Sequence, residues 1–161
     1  MLMGNIPLTE QHRPVSPFYF NSLPENFRES ALLDRFHCFI EGWLLPRINT
    51  SMIFKGWTIN VEYFSEIMHT MRTQNIYNQI YDELVEIAPN TDTRDSKAVK
   101  RIATAYMKLL FPHWRTLELV NKQEFETFCL NPAIHRRGIV KQQCHYIDPE
   151  FKQQISGISL K

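Results

Sequence analysis

Arg35 is the residue whose type and setting most invite chemistry. It stands in ESALLDRFHCFIEGW (29–43), inside an apolar run, with Asp34 before it and Phe36 after it. A guanidinium is always charged, and its planar fork matches carboxylate and phosphate oxygens. Two uses follow: an ion pair with Asp34 or Glu29, or an arginine aimed at an anion outside the chain. Arg94 poses a related question. It falls in the first turn of a helix expected to start near Asp92, where a cation opposes the helix dipole. Asp92 and Asp95 can compensate it locally. A third basic group, His135, Arg136, Arg137, Lys141 and Lys152, could touch phosphates. The bland reading of that group is a solvated helix face.

Several chemistries lack their residues. None of the five glycines has the spacing of a phosphate-cradling GxxxxGK[ST] loop. IYDEL (80–84) resembles a Walker B acidic pair only superficially. Its apolar residues recur at helical spacing, so Asp82 and Glu83 read as solvated helix-face charges. The six histidines and three cysteines show no standard zinc spacing, so no metal site is expected. The cysteines, Cys38, Cys129 and Cys144, are far apart and read as reduced thiols.

The elements that must position these residues divide unevenly. MLMGNI reads as a buried strand entering a turn at Gly4-Asn5. Pro7, Pro14 and Pro17 spoil regular structure up to Phe20. A short helix is expected over about 25–33, and HCFIEGW is a short strand candidate. Beyond about Ile48 the pattern is helical. Asn60 is a plausible N-cap, with Ile59 and Phe64 at the spacing of a hydrophobic staple. Val61, Phe64, Ile67, Met68 and Met71 then share a face. A second helix is expected over about 74–88 and a third from Asp92 to Pro112. A fourth region begins near Lys122, and Asn131-Pro132 predicts a break that starts a last helix. The expected fold class is mainly α: a helical bundle preceded by a short α/β remnant. Domain boundaries are expected at 1–48, 49–155 and a tail at 156–161.

The chain is 161 residues long, 43% hydrophobic and 22% charged, enough for a real core. A net charge of +1 gives no global pull toward nucleic acid or membrane. MLMGNIPLTEQH has no basic n-region, and no stretch approaches a membrane span, so a cytoplasmic protein without membrane partners is expected.

Three pieces, in order, resemble the second half of an AAA+ ATPase module. LMGNI is similar to a sensor-1 strand ending in a polar residue, here Asn5. SALLDRFHCFIEGW resembles an arginine-finger segment, with the LLDR core of Lon-type ATPases. TDTRDSKAVKRIATAYMKLL resembles the sensor-2 helix of the lid. More particularly, RFHCFIEGWLLPRI, VEYFSEIM, AVKRIATAYMKLLFP and HRRGIVKQQCHYIDPEF together resemble the Lon-related BrxL family of BREX phage-defence systems. The likeness covers about 2–151.

The resemblance implies a fold that is the end of an AAA+ core followed by a helical lid. It implies roles for Arg35 as finger, Asn5 as the residue orienting the attacking water, and Arg94 or Arg101 as a nucleotide-sensing arginine. Asn5 otherwise reads as a turn former after Gly4. Members of the family are longer, so this chain is expected to be a fragment: inert alone, with ATP and Mg²⁺ bound only in the full-length protein. Ring self-association is then expected, with DNA as a candidate partner through Arg136, Arg137 and Lys141. The competing expectation is a stand-alone helical module binding protein or nucleic acid. The two differ over Arg35: exposed on an edge in the first case, buried or paired in the second.

Overall fold

A computed structural model describes residues 3–161. The fold is mainly helical, as the periodicity predicts. Its main helices are α2 (Val61–Arg72), α3 (Ile76–Leu84), α4 (Thr93–Leu110) and α6 (Asn131–Ile147), with one-turn helices α1 (Ser30–Leu33) and α5 (Lys122–Phe125). Two strands, β1 (Val85–Ile87) and β2 (Ile158–Leu160), pair antiparallel with Val85 opposite Leu160.

Side-chain caps set the helix starts. Asn60 accepts from the amides of Glu62 and Tyr63, Asp92 from Arg94, and Asn121 from Gln123 and Glu124. Each satisfies amides that have no partner within the helix. The main core lies between α3, α4 and the 125–133 segment. Tyr77, Ile80, Tyr81 and Leu84 of α3 meet Val99, Ala103 and Met107 of α4, with Trp114, Phe125, Cys129 and Leu130 closing it. Phe111 stacks on Trp114 with centroids 3.9 Å apart.

Five expectations are corrected. In the MLMGNI stretch, Met1 and Leu2 lie outside the described residues, and Met3–Pro7 form no strand. HCFIEGW forms no strand either; Phe39 instead donates its amide to the carbonyl of Arg136 on α6, 3.2 Å away. A strand must pair its backbone along its length, and neither stretch has a neighbouring strand among the described residues. The sheet forms where the second helix was expected to continue. That helix stops at Leu84, and its last residues become β1, which pairs with the stretch expected to be a tail.

The break expected at Asn131-Pro132 is absent. Asn131 is itself helical, and Glu126–Leu130 form a π-helical turn joining α5 to α6. Proline lacks a donor and crowds the carbonyl four residues before it. Residue 128 lies inside the wider π turn, where that bonding pattern has already changed. Finally, the α2 stripe is only partly used. Met71 is buried and Met68 packs against the core, while Val61, Phe64, Ile67 and the staple partner Ile59 stay exposed.

A second, smaller core ties the N-terminal segment to α6: Phe20 and Leu33 bury against Val140 and Cys144, edged by Phe18, Phe36 and Phe39. Its irregular backbone is held by α6 side chains. Gln143 is fully buried; its Oε1 accepts from the amides of Tyr19 (2.6 Å) and Phe20 (3.3 Å), and its Nε2 donates to the carbonyl of Pro17 (2.9 Å). A buried amide is tolerable when both its ends are partnered.

Candidate functional site

Asp34 ends α1 and is buried, whereas the next residue, Arg35, is exposed. Arg35 bonds only through its amide, to Leu32, and its guanidinium has no partner among the described residues. Neither Asp34 nor Glu29 pairs with it. Asp34 is already taken. Its Oδ2 accepts from Arg94 at 2.6 Å and its Oδ1 from Arg137 at 2.5 Å.

These contacts belong to a buried ionic network at the junction of α1, α4 and α6. Arg137, with a side chain only 1% exposed, also reaches Asp95 Oδ1 through Nε (2.8 Å). Lys141, one turn on, pairs with Asp95 (3.0 Å) and Asp92 (3.1 Å). Three acids meet three bases, so the cluster carries no net charge. Burial alone pushes the Asp92 carboxyl up, but the Arg94 amide and Lys141 outweigh it, and its pKa lies below the usual carboxylate value. For Lys141, burial pulls the pKa down, and Asp95 and Asp92 together push it above the ordinary value.

The structure therefore separates the basic residues of the last helix. Arg137 and Lys141 are buried and paired with the carboxylates of Asp34, Asp95 and Asp92, so neither stands free toward a nucleic-acid phosphate. They are not a solvated face either. Arg136 is half-buried and donates from Nε to the hydroxyl of Tyr106 at 2.6 Å. The helix repeat explains the division: α6 buries Ala133, Arg137, Val140 and Cys144 on one face and Ile139 and Gln143 beside it.

Arg94 sits in the first turn of α4, as expected, with its side chain 50% exposed beyond its contact with Asp34. Arg101 is exposed and lies 2.7 Å from Nε2 of His37. Partial burial first, then Arg101 and Arg137, lower the His37 pKa below its ordinary value. A neutral imidazole accepting from the guanidinium suits that contact. Arg101 also borders an open polar cleft of about 350 Å³ with Asn75, Asn78, Gln79, Asp82, Lys97 and Lys100. There Asp82 pairs with Lys100 at 2.6 Å, as a surface helix charge would. Asn5 is exposed and lies in irregular backbone.

The structure thus brings Arg94 and the Arg35 segment together through Asp34, and leaves Arg101 linked to the same segment through His37. Sequence reasoning did not single out Asp34, Asp95 and Gln143 as organisers. The available signal was an acid (Asp34) adjoining the exposed arginine; its partners lie 60 and 103 residues away.

Two curated relatives, both described as "Lon-like protease BrxL", match most of the chain. The one from Escherichia coli O9:H4 (strain HS) is 26% identical over 143 residues, 89% of this chain and 20% of the relative. The one from Bacillus cereus (strain H3081.97) is 24% identical over 143 residues, 88% of this chain and 20% of the relative. The chain thus spans about one fifth of the length of these relatives. The family model described as "Lon-like protease BrxL-like, ATPase domain" matches residues 1–156, and the chain belongs to that family.

Proposed function

We propose that this chain supplies the arginine-finger and sensor elements of a Lon-related AAA+ ATPase that works as a ring in phage defence, and that it is a fragment, inert by itself. The observation that carries the reading is the contrast at 34–35: Asp34 is buried and doubly paired, while Arg35 is exposed with an unpartnered guanidinium. An arginine that only stabilised its own fold would be expected to use the adjacent carboxylate.

In a ring, the nucleotide lies between subunits, and Arg35 would stabilise charge on the phosphoryl group of a neighbour's ATP. The fit is to phosphate: Arg35 is a free fork, and Arg94 keeps half its side chain in solvent. Arg94 takes the sensing role in this reading, with Arg101 the competing candidate; exposed Asn5 would orient the attacking water. Mg²⁺ would be held by residues elsewhere in the longer protein, since no group of three His, Cys, Asp or Glu among the described residues is placed to ligate a metal. Coupling to DNA is proposed for the assembled protein, with Arg136 the solvent-accessible member of the original basic trio.

The test is Arg35→Ala in a full-length protein carrying this domain. ATP hydrolysis should be lost while ATP binding stays near normal. Retained hydrolysis would sink the assignment. Robust turnover by the 161-residue chain alone would overturn its being inert.

A further inference from the structure

We infer that buried Arg137 is the positioning residue for Arg35: it clamps the backbone on both sides of Arg35 and thereby fixes the direction in which that arginine leaves the surface. The catalytic half of this inference rests on the function proposed above; the structural half does not.

The geometry is specific. Nη1 of Arg137 donates to the backbone carbonyl of Asp34 (2.9 Å) and to that of Phe36 (2.6 Å). These are the two residues flanking Arg35. Nη2 holds the Asp34 carboxylate, and Nε with Nη2 holds Asp95. One buried guanidinium thus fixes the turn after α1 by backbone and side chain at once, and anchors it to α4. Below it, Arg136 adds its carbonyl to the amide of Phe39. The amides of Arg35 and Phe36 close back onto Leu32 and Leu33 (3.1 and 2.9 Å). Backbone at 34–36 is therefore held from both directions, while the Arg35 side chain is exposed.

Arginine is required for this arrangement. A lysine at 137 keeps the charge but replaces a rigid five-donor fork with a single ammonium. It can satisfy a carboxylate, but not two carbonyls and two carboxylates together. A finger displaced by about 1 Å can cost about a hundredfold in rate.

Two measurements test this. In the 161-residue chain, Arg137→Lys should speed hydrogen exchange at the amides of Arg35, Phe36 and Phe39 while the interior amides of α4 stay protected. Unchanged exchange over 34–39 would overturn the clamp. In a full-length protein carrying the domain, Arg137→Lys should lower kcat about a hundredfold at an ATP Kd within about twofold of the parent. The double variant Arg35→Ala/Arg137→Lys should be no slower than Arg35→Ala alone, because a misplaced finger and a missing finger remove the same interaction. Losses that multiply would overturn the positioning role. Should Arg137→Lys not fold, Asp95→Asn/Arg137→Gln removes the buried charges as a pair, and the same exchange and additivity results decide. Normal turnover by Arg35→Ala overturns the proposed function and the catalytic half with it, while the exchange result still decides the clamp.

Discussion

Arg137 and Asp34, 103 residues apart in sequence, meet twice: guanidinium to carboxylate at 2.5 Å and guanidinium to backbone carbonyl at 2.9 Å. The pair joins the N-terminal segment to the last long helix, so the stability of the whole chain should be sensitive to it.

Arg137→Met should destabilise the chain by about 3–5 kcal/mol, because it leaves Asp34 and Asp95 buried with fewer partners. That is a large share of the roughly 5–15 kcal/mol typical of a folded domain. Urea unfolding gives the comparison. A loss under about 1 kcal/mol would mean that water reaches the network freely.

Trp114→Ala should cost about 3–5 kcal/mol. Trp114 is buried and stacked on Phe111. Trp57, by contrast, is 99% exposed, and Trp57→Ala should leave the urea midpoint of the described fold nearly unchanged. Equal losses from the two substitutions would contradict the placement of the core.

Thiol labelling should distinguish the cysteines. Cys38 is exposed; Cys129 and Cys144 are buried, and burial pushes their thiols up to about 12 and about 11. Reactivity follows the thiolate. Burial also raises the Cys38 thiol, against a smaller lowering from Arg136, so its reaction should be slow at neutral pH and faster in alkali. One thiol should react in the native chain and three in denaturant. Prompt native labelling of Cys129 would contradict the core.

His37 should titrate below its ordinary value near 6.5, because burial and then Arg101 disfavour the imidazolium. Its folded-state pKa is depressed, so the unfolded chain binds the proton first. The contribution is therefore fully present above about pH 6.5 and is lost as pH falls through the folded value. His37→Gln should flatten that part of the stability curve. An NMR titration placing His37 at or above 6.5 would refute the contact with Arg101 as drawn.

Much of the helical fold was legible because its signals are local. Asn60 and Asp92 cap where an Asx residue before an apolar repeat predicts, and α4 ends just before Pro112. What was illegible depends on distant partners. Val85 continues the apolar spacing of Leu84, and only its pairing with Leu160, 75 residues on, makes it a strand. Residues 37–41 look strand-like by composition, but their nearest backbone neighbour is a helix. At the site, the exposure of Arg35 depends on Asp34 being taken by Arg94 and Arg137, partners that lie 60 and 103 residues away from Asp34. Arg137 and Lys141 were misjudged because a charged residue on a polar-looking helix reads as solvated until its burying neighbours, Asp34 and Asp95, are placed around it.

The π turn at 126–130 sets the phase of everything after it. Each helical residue advances about 100° around the axis. Deleting one residue from Glu126–Leu130 would therefore swing Arg137 and Gln143 away from their targets together, without touching either side chain. Two of the polar stitches that hold the N-terminal segment, those of Arg137 and Gln143, thus owe their aim to the length of a turn that precedes both on the chain. Length in that turn, more than its composition, is what the domain cannot give up.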